Sequence, residues 1–423
     1  MSGFGSNERK TKKSEEKKIR TLQRDKLISN AFSLHSSGKI KEAADVYNSL
    51  IQKKIYDPRV FNNLGSIYSN LKQFDKAILL FDESIKKFPN SLEAYINLAN
   101  VMIIKGKSDI AKKILNKVIE LNPNYLKPYS NLAGIFVGEG NFEKAEFFLR
   151  RSLEINPKDI NTLVNLACVL KDLGNPKQAE RFLRDALEIN PKYDSALVNL
   201  GAVLNELGKI DEGEEFLKKA LKINPNSPMA LNNLGNILSK KNKNKEAELF
   251  YRKAIELKSD FFLAYDNLGS LLSKQGNLIE AEKFTEKAIN YNPKFELAYV
   301  NLGSIKIDLD KLLEAEELFL KAIQINENYS YAYRNLFRLY EKTNNIEKLK
   351  NKLKTLKENK SIVNEKILFQ ARIFFREKDY IKAKKSIDQV SDEWINNTDH
   401  QTNLLYWSCL LYTSDAADDV RSV

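Results

Sequence analysis

Residues 194–227 read DSALVNLGAVLNELGKIDEGEEFLKKALKINPNS, and this stretch is one copy of the repeat that decides the fold. We number its positions 1 to 34, so that Asn199 stands at position 6 and is followed by Leu200 and Gly201. A 34-residue unit with apolar residues at helical spacing is a helix–turn–helix, and such units bury their apolar faces only by stacking. Asparagine occupies position 6 in nine successive copies, which we call the Asn row: Asn63, Asn97, Asn131, Asn165, Asn199, Asn233, Asn267, Asn301 and Asn335.

Other positions recur with the same period. Large apolar residues fill positions 4, 7 and 11 in nearly all copies, and small residues fill positions 8 and 20 in eight of the nine. Gly is frequent at position 15 and Pro at position 32, as in Gly106 and Pro123. Gly ends the first helix, the small residues let the paired helices approach, and Pro ends the second helix. The pattern therefore predicts antiparallel helix pairs and no sheet.

This pattern resembles the tetratricopeptide repeat (TPR) over residues 58–342, with weaker copies at 30–57 and from 364 to about 412. The resemblance implies an all-α fold, a right-handed superhelical solenoid of antiparallel helix pairs. It divides the chain into a basic, disordered N-terminal segment (1–24), the array (25–342), degenerate repeats of which the last is incomplete (343–412) and a tail (413–423).

The Asn row needs an explanation, because Asn inside a helix is about 0.5 kcal/mol less favourable than Ala. Positions 2, 5, 6, 9 and 13 share one stripe of the first helix. Position 9 holds small residues from Ser66 to Ser304 and Arg338 thereafter. A side-chain amide offers one donor group and one acceptor group, as does a peptide unit. A row of amides beside small residues therefore predicts a concave groove that holds an extended chain by its backbone.

The repeat array of the O-linked N-acetylglucosamine transferases is similar, with a ladder of Asn at the same place that binds the substrate backbone. This resemblance implies peptide contacts for the whole Asn row. A second interpretation stays open, in which Asn is the ordinary choice at position 6 and bonds to the backbone of the adjacent repeat. Both satisfy the need of a polar group for a partner.

The composition narrows the class of protein. Two Cys, two His, and no Gly-rich phosphate loop, HExxH, GxSxG or paired-Cys motif lead us to predict no catalytic residue, no metal and no cofactor. The formal charge of +12 is concentrated near the ends: residues 1–26 hold nine Lys or Arg against four Asp or Glu, and residues 342–366 hold eight against three. Interspersed acids and few aromatics in these segments predict a protein or peptide partner and no nucleic acid.

The N-terminal residues lack the apolar stretch of a secretion signal, and no run approaches the ~18 apolar residues of a membrane span. We therefore predict a cytoplasmic protein without a membrane partner. Heavy use of Lys, Asn and Ile is typical of an AT-rich genome, which favours a bacterial source. The oligomeric state is not predicted.

The C-terminal end interrupts the pattern. Residues 403–412 read as the first helix of another repeat, but residues 413–423, TSDAADDVRSV, are polar and stop inside the unit. The string LLYTSDAADD resembles translated sequencing adapter, so we expect a non-native tail on a shortened gene; a native disordered tail is the alternative.

Two functions follow from these patterns. The first is an interaction scaffold that takes an extended peptide or partner segment in its groove, with no enzymatic activity of its own. The alternative is the substrate-recognition half of a longer transferase, a glycosyltransferase or sulfotransferase, whose catalytic domain is missing from this chain.

Overall fold

The computed structural model describes residues 24–355 and 363–390. All regular structure in these residues is helical, which confirms the prediction of an all-α repeat protein. None of the described helices is both long and apolar enough to cross a membrane. The expected non-native tail, the incomplete last repeat and all but residue 24 of the basic N-terminal segment lie outside the described residues.

The chain divides into two compact units, the first ending at Lys209 and the second beginning at Ile210. In the described part of the first unit the helices follow one another with short turns: α1 (24–36), α2 (Ile40–Gln52), α3 (Pro58–Asn70), α4 (Phe74–Lys87), α5 (Leu92–Ile104), α6 (Ser108–Leu121), α7 (Lys127–Gly138), α8 (Phe142–Ile155), α9 (Ile160–Asp172), α10 (Pro176–Ile189) and α11 (Asp194–Glu206).

The second unit continues the pattern. Its helices are α12 (Ile210–Ile223), α13 (Pro228–Lys240), α14 (Asn244–Leu257), α15 (Phe262–Lys274), α16 (Leu278–Tyr291), α17 (Glu296–Asp308), α18 (Leu312–Ile325), α19 (Ser330–Lys342), α20 (Ile346–Thr355), α21 (Val363–Arg376) and α22 (Tyr380–Ile387).

Within each unit the two helices of a repeat pack against each other, as α3 does with α4 and α15 with α16. The first helices of successive repeats also contact one another, α3 with α5 in the first unit, and α13 with α15 and α15 with α17 in the second. The stripe that carries the Asn row therefore continues from repeat to repeat within a unit.

Small residues at position 8 allow this close pairing. A Cβ on Gly65 would lie 2.5 Å from the ring of Phe81 in the paired helix, and one on Gly303 would lie 2.5 Å from the ring of Phe319. Since real Cβ atoms do not approach so closely, a larger residue would push the helices apart. The role predicted for the small residues at position 8 is confirmed by these contacts.

The turn inside each repeat requires a left-handed backbone at position 15. Gly208 adopts it with φ 77°, which Gly does at little cost. Where the repeat lacks Gly, other residues take the same conformation: Lys72 (φ 59°), Asn242 (φ 59°) and Asp310 (φ 60°). The turn geometry is thus kept even where the residue is unfavourable.

One repeat departs from the apolar pattern at position 11, where Lys306 of α17 replaces residues such as Leu204 and Leu272. Its side chain is 9% exposed, and its Nζ donates to the carboxylates of Glu282 and Glu314. Burial lowers the pKa of this ammonium, but the two hydrogen bonds outweigh it and hold the pKa above its usual value. At position 11 of this repeat, buried ion pairs therefore take the place of the apolar contact that other repeats make.

Candidate peptide-binding groove

The residues of the Asn row lie at the edge of the core and not inside it. The Leu that follows at position 7, such as Leu200 or Leu268, is fully buried, whereas eight of the nine Asn are half-buried and Asn165 is exposed. The helical stripe explains this, because position 7 faces the paired helix while position 6 is rotated away from it. All nine amides are therefore at least partly open to solvent.

Open space borders the row in the first unit. A Cβ on Gly134, at position 9, or on Gly138, at position 13, would meet no atom within 4 Å. Cys168 is half-buried at position 9, and burial raises the pKa of its thiol, as expected of a packing residue. Position 9 is half-buried or exposed throughout: Ser66, Asn100, Gly134, Cys168, Ala202, Asn236, Ser270, Ser304 and Arg338.

Two amides of the first unit donate to the preceding repeat. Asn63 Nδ2 lies 3.1 Å from the hydroxyl of Tyr47 in α2, and Asn131 Nδ2 lies 2.8 Å from Asn100 Oδ1 in α5. Both acceptors are side chains, so a bond to the adjacent repeat does exist here but does not involve its backbone.

The second unit repeats one such bond with a fixed offset of 35 residues. Asn267 Nδ2 lies 2.9 Å from Asn232 Oδ1, and Asn301 Nδ2 lies 3.0 Å from each carboxylate oxygen of Asp266. Both acceptors stand at position 5 of the preceding repeat, and each is only 2% exposed. The amides of Asn267 and Asn301 are consequently each held by a buried polar side chain of the preceding repeat.

Two further amides turn back onto their own helix. Asn199 Nδ2 donates to the carbonyl of Ser195 at 2.9 Å, and Asn335 Nδ2 donates to the carbonyl of Tyr331 at 2.7 Å. These carbonyls already accept helical bonds, so the extra contact is a local one that the side chain can give up.

Three amides, those of Asn97, Asn165 and Asn233, have no hydrogen-bond partner among the residues that the structure describes. Among the described residues, no Oδ1 atom of the Asn row accepts a hydrogen bond. In every side-chain hydrogen bond that the row makes, Nδ2 is the donor. The row thus presents acceptor oxygens along its length, and in three repeats the donor as well.

Asp266 has the carboxyl whose pKa is most strongly shifted among the residues around the Asn row. Burial raises the pKa of its carboxyl to about 6, and the hydrogen bond from Asn301 offsets only part of this rise. The phenol of Tyr329 lies near enough for burial, Glu296, Tyr331 and Asp266 together to raise its pKa above the usual range. In the described residues no group of three or more His, Cys, Asp or Glu converges as a metal site would require.

Position 2, one turn before the Asn row, differs between the units. Polar residues occupy it in the first unit: Arg59, Glu93, Lys127, Asn161 and Ser195. Apolar or aromatic residues occupy it in the second: Met229, Leu263, Leu297 and Tyr331. The sequence placed positions 2 and 5 on the groove stripe without giving them a role; the signal for position 5 was the polar Asn232 and Asp266 where valine or isoleucine is frequent.

Comparison with known proteins places this arrangement among helical repeats. Residues 19–265 match the model of the cilia and flagella-associated protein 70 C-terminal domain, and residues 263–295 and 297–329 each match that of the tetratricopeptide repeat. A curated relative, the BBSome complex member BBS4 of Bos taurus, is 35% identical over 102 residues, which cover 23% of this chain and 18% of that protein.

Solved structures share the fold at low sequence identity. A tetratricopeptide repeat protein of Parabacteroides merdae is 23% identical with a TM-score of 0.51, covering 59% of this chain and 98% of its own. The human IFIT1 dimer with m7Gppp-AAAA is 18% identical with a TM-score of 0.54, covering 85% and 87%. Yeast Tom70 is 14% identical with a TM-score of 0.51, covering 95% and 97%.

Proposed function

This chain belongs to the tetratricopeptide-repeat family described as the cilia and flagella-associated protein 70 C-terminal domain, and we propose that it is an interaction scaffold in which the members of the Asn row within each unit bind an extended peptide. The ligand's backbone N–H groups donate to the Oδ1 atoms of the row, and its carbonyls accept from the amides that have an Nδ2 to spare. Such binding is indifferent to the side chains of the ligand.

The observation that supports this proposal is the unused hydrogen-bonding capacity of the row. Nine partly exposed amides keep their Oδ1 free, and Asn97, Asn165 and Asn233 keep both groups free. Asn is a poor helix former, and an Asn that makes no hydrogen bond inside the fold has no internal contact to offset this cost. A ligand supplies the missing partner.

A peptide fits this surface better than RNA. The human IFIT1 structure that shares the fold contains m7Gppp-AAAA, but at 18% identity the likeness extends to the fold alone. In the first unit position 2 alternates in charge, as in Arg59, Glu93 and Lys127, where a phosphate backbone needs a continuous basic surface. BBS4 is, by its name, a member of a complex, and this is consistent with a scaffold role for the present chain.

The test removes three members of the Asn row in one unit at a time. We expect Asn97→Ala/Asn131→Ala/Asn165→Ala in the first unit, and Asn233→Ala/Asn267→Ala/Asn301→Ala in the second, to weaken binding of an unstructured peptide. Each lost bond contributes about 0.5–1.5 kcal/mol, so three together reduce affinity by about one to three orders of magnitude. Fluorescence anisotropy with a labelled peptide of Gly, Ser, Thr and Ala measures the affinity, and circular dichroism checks that the helices are retained.

The matched control is Asn116→Ala/Asn290→Ala, which removes two exposed amides from the second helices α6 and α16. It is expected to bind peptide as the parent does, and single-stranded RNA is expected not to compete. Equal binding by the parent and both triple variants would contradict the proposal and leave Asn as an ordinary residue of the repeat.

A further inference from the structure

We propose that Asn232 and Asp266 are positioning residues that fix the Asn of the next repeat so that its Oδ1 faces the ligand. This inference rests on the proposed peptide binding and names the residues that decide which members of the Asn row bind most strongly. It concerns the second unit, where Asn267 and Asn301 are the amides held.

The geometry assigns these two residues an indirect role. Asn232 and Asp266 stand at position 5 and are 2% exposed, so neither reaches a ligand in the groove. Each contacts the Nδ2 atom of the amide 35 residues later, at 2.9 Å and 3.0 Å. With Nδ2 tied down, the side chain has one orientation, and its Oδ1 is the group left for a ligand.

A fixed amide binds more tightly than a loose one, because ordering a mobile side chain on binding costs free energy. An ionised Asp266 adds to this, since a carboxylate that accepts from Nδ2 polarises the amide and strengthens Oδ1 as an acceptor. Asn301 is therefore expected to be the strongest single acceptor of the second unit.

Repeats with valine at position 5 lack this support. Val164 precedes Asn199, and Val300 precedes Asn335; both Asn side chains turn back to their own helix instead. The valines are buried and offer no acceptor. Within the second unit, a buried polar residue at position 5 of the preceding repeat is thus the feature that separates Asn267 and Asn301 from Asn335.

The first unit contains a natural counter-example that identifies a second requirement. Asn62 is also polar and buried at position 5, yet its Oδ1 accepts from Ser84 Oγ at 3.3 Å, and Asn97 has no partner. The residues that correspond to Ser84 in the second unit are Ala254 and Ala288. Without a hydroxyl to occupy it, the position-5 oxygen is available to the next repeat.

The surroundings of Asp266 make the effect depend on pH. Position 5 of the neighbouring α13 contributes the neutral Asn232, and α17 contributes the neutral Asn301. The phenol of Tyr329 lies near enough to feel the charge of Asp266 and also that of Glu296, whose carboxylate accepts from Asn326 Nδ2 at 3.1 Å. Because a ligand on Asn301 favours ionised Asp266, affinity should rise with pH through the range in which this carboxyl loses its proton.

The experiment uses the full chain and a fluorescein-labelled peptide of Gly, Ser, Thr and Ala, titrated at about pH 5 and about pH 8. We expect Asp266→Val and Asn232→Val to weaken binding at the higher pH by about two- to tenfold each. Asp266→Asn places an amide where Asn232 has one in the preceding repeat. This variant should keep most of the parent's affinity, and its affinity should be the same at both values of pH. Ser84→Ala should tighten binding by a similar factor, since it frees Asn62 to hold Asn97.

The side-chain amide resonances of Asn97 and Asn301 provide a readout without ligand. In NMR spectra the Asn301 resonance should shift as Asp266 titrates. In Ser84→Ala the Asn97 resonance should show that its side chain has become ordered. If the parent binds peptide while these four variants all match it at both values of pH, the inference is overturned and the proposed function stands. If the parent and the triple Ala variants all fail to bind, the proposed function itself is wrong and this inference falls with it.

Discussion

The two compact units follow one 34-residue repeat but surround the Asn row with different residues. In the first unit charged or polar residues precede the row at position 2, and Gly134 and Gly138 border open space. In the second unit apolar residues precede the row, and Asn267 and Asn301 are held by buried polar groups.

The difference shows which positions of a repeat are free to vary. Positions 7, 8 and 20 pack helix against helix, and both units keep the same residue types there in every repeat of residues 58–329. Positions 2 and 5 lie on the same helical stripe as the Asn row, and the fold accommodates several residue types there. One scaffold can therefore surround the same row of amides with polar side chains at position 2 in one unit and with apolar side chains in the other.

The largest effect tests whether the units differ only at the groove. Leu200→Ala and Leu268→Ala change the same fully buried position in the first and second units. Each should lower the free energy of unfolding by about 2–5 kcal/mol, because the removed atoms leave a cavity. Urea denaturation followed by circular dichroism measures both; strongly unequal losses would mean that the cores differ as well.

The next effect concerns the buried carboxyl of Asp266 in the second unit. Because burial raises the pKa of Asp266 from 3.8 to about 6, the folded state holds this proton more tightly than the unfolded chain. The contribution to the free energy of unfolding is complete below about pH 4 and is lost as pH rises through about 6, a change of about 3 kcal/mol at most.

Asp266→Asn should therefore raise stability at about pH 8 by roughly 1–3 kcal/mol and leave it nearly unchanged at about pH 4. Asn232→Asp should do the reverse, introducing the same dependence one repeat earlier. Unfolding curves at the two values of pH give the answer, and a pH-independent difference for both variants would count against an ionised, buried Asp266.

A smaller effect separates held from loose amides. Asn301→Ala removes the partner of a buried carboxylate and should cost about 1–3 kcal/mol at about pH 8. Asn199→Ala removes only a bond to its own helix and should be neutral or mildly stabilising, since Ala is the better helix former. Thermal melts of the two variants compare them; a loss above about 1.5 kcal/mol for Asn199→Ala would make its bond structural and weaken the contrast between the units.

The smallest effect lies in the turns. Lys72 in the first unit and Asn242 in the second both hold a left-handed backbone where other repeats have Gly. Lys72→Gly should stabilise by about 0.5–1 kcal/mol, and Asn242→Gly by less, because Asn tolerates this conformation better than Lys. Equal gains in calorimetric melting would show that the turn in each unit is limited by something other than backbone strain.

The sequence by itself determined the helices, their pairing and the residues of the core. It could do so because a side chain's burial in a stacked repeat depends on its position in the period, and nine copies report the same position nine times. The placement of the Asn row beside, and not inside, the core followed from the same periodicity. Lys306 escaped this reasoning, since its carboxylate partners come from the helices on either side.

Only the tertiary structure decided which amides of the row are held and which are open. The partner of Asn301 lies 35 residues earlier, and its availability depends on a third residue in the paired helix, as the contrast between Ser84 and Ala288 shows. Such a choice depends on distances among three helices, which no single position of the repeat encodes. The period fixes where each amide stands, and the neighbouring helices decide which of its hydrogen-bonding groups remain unused.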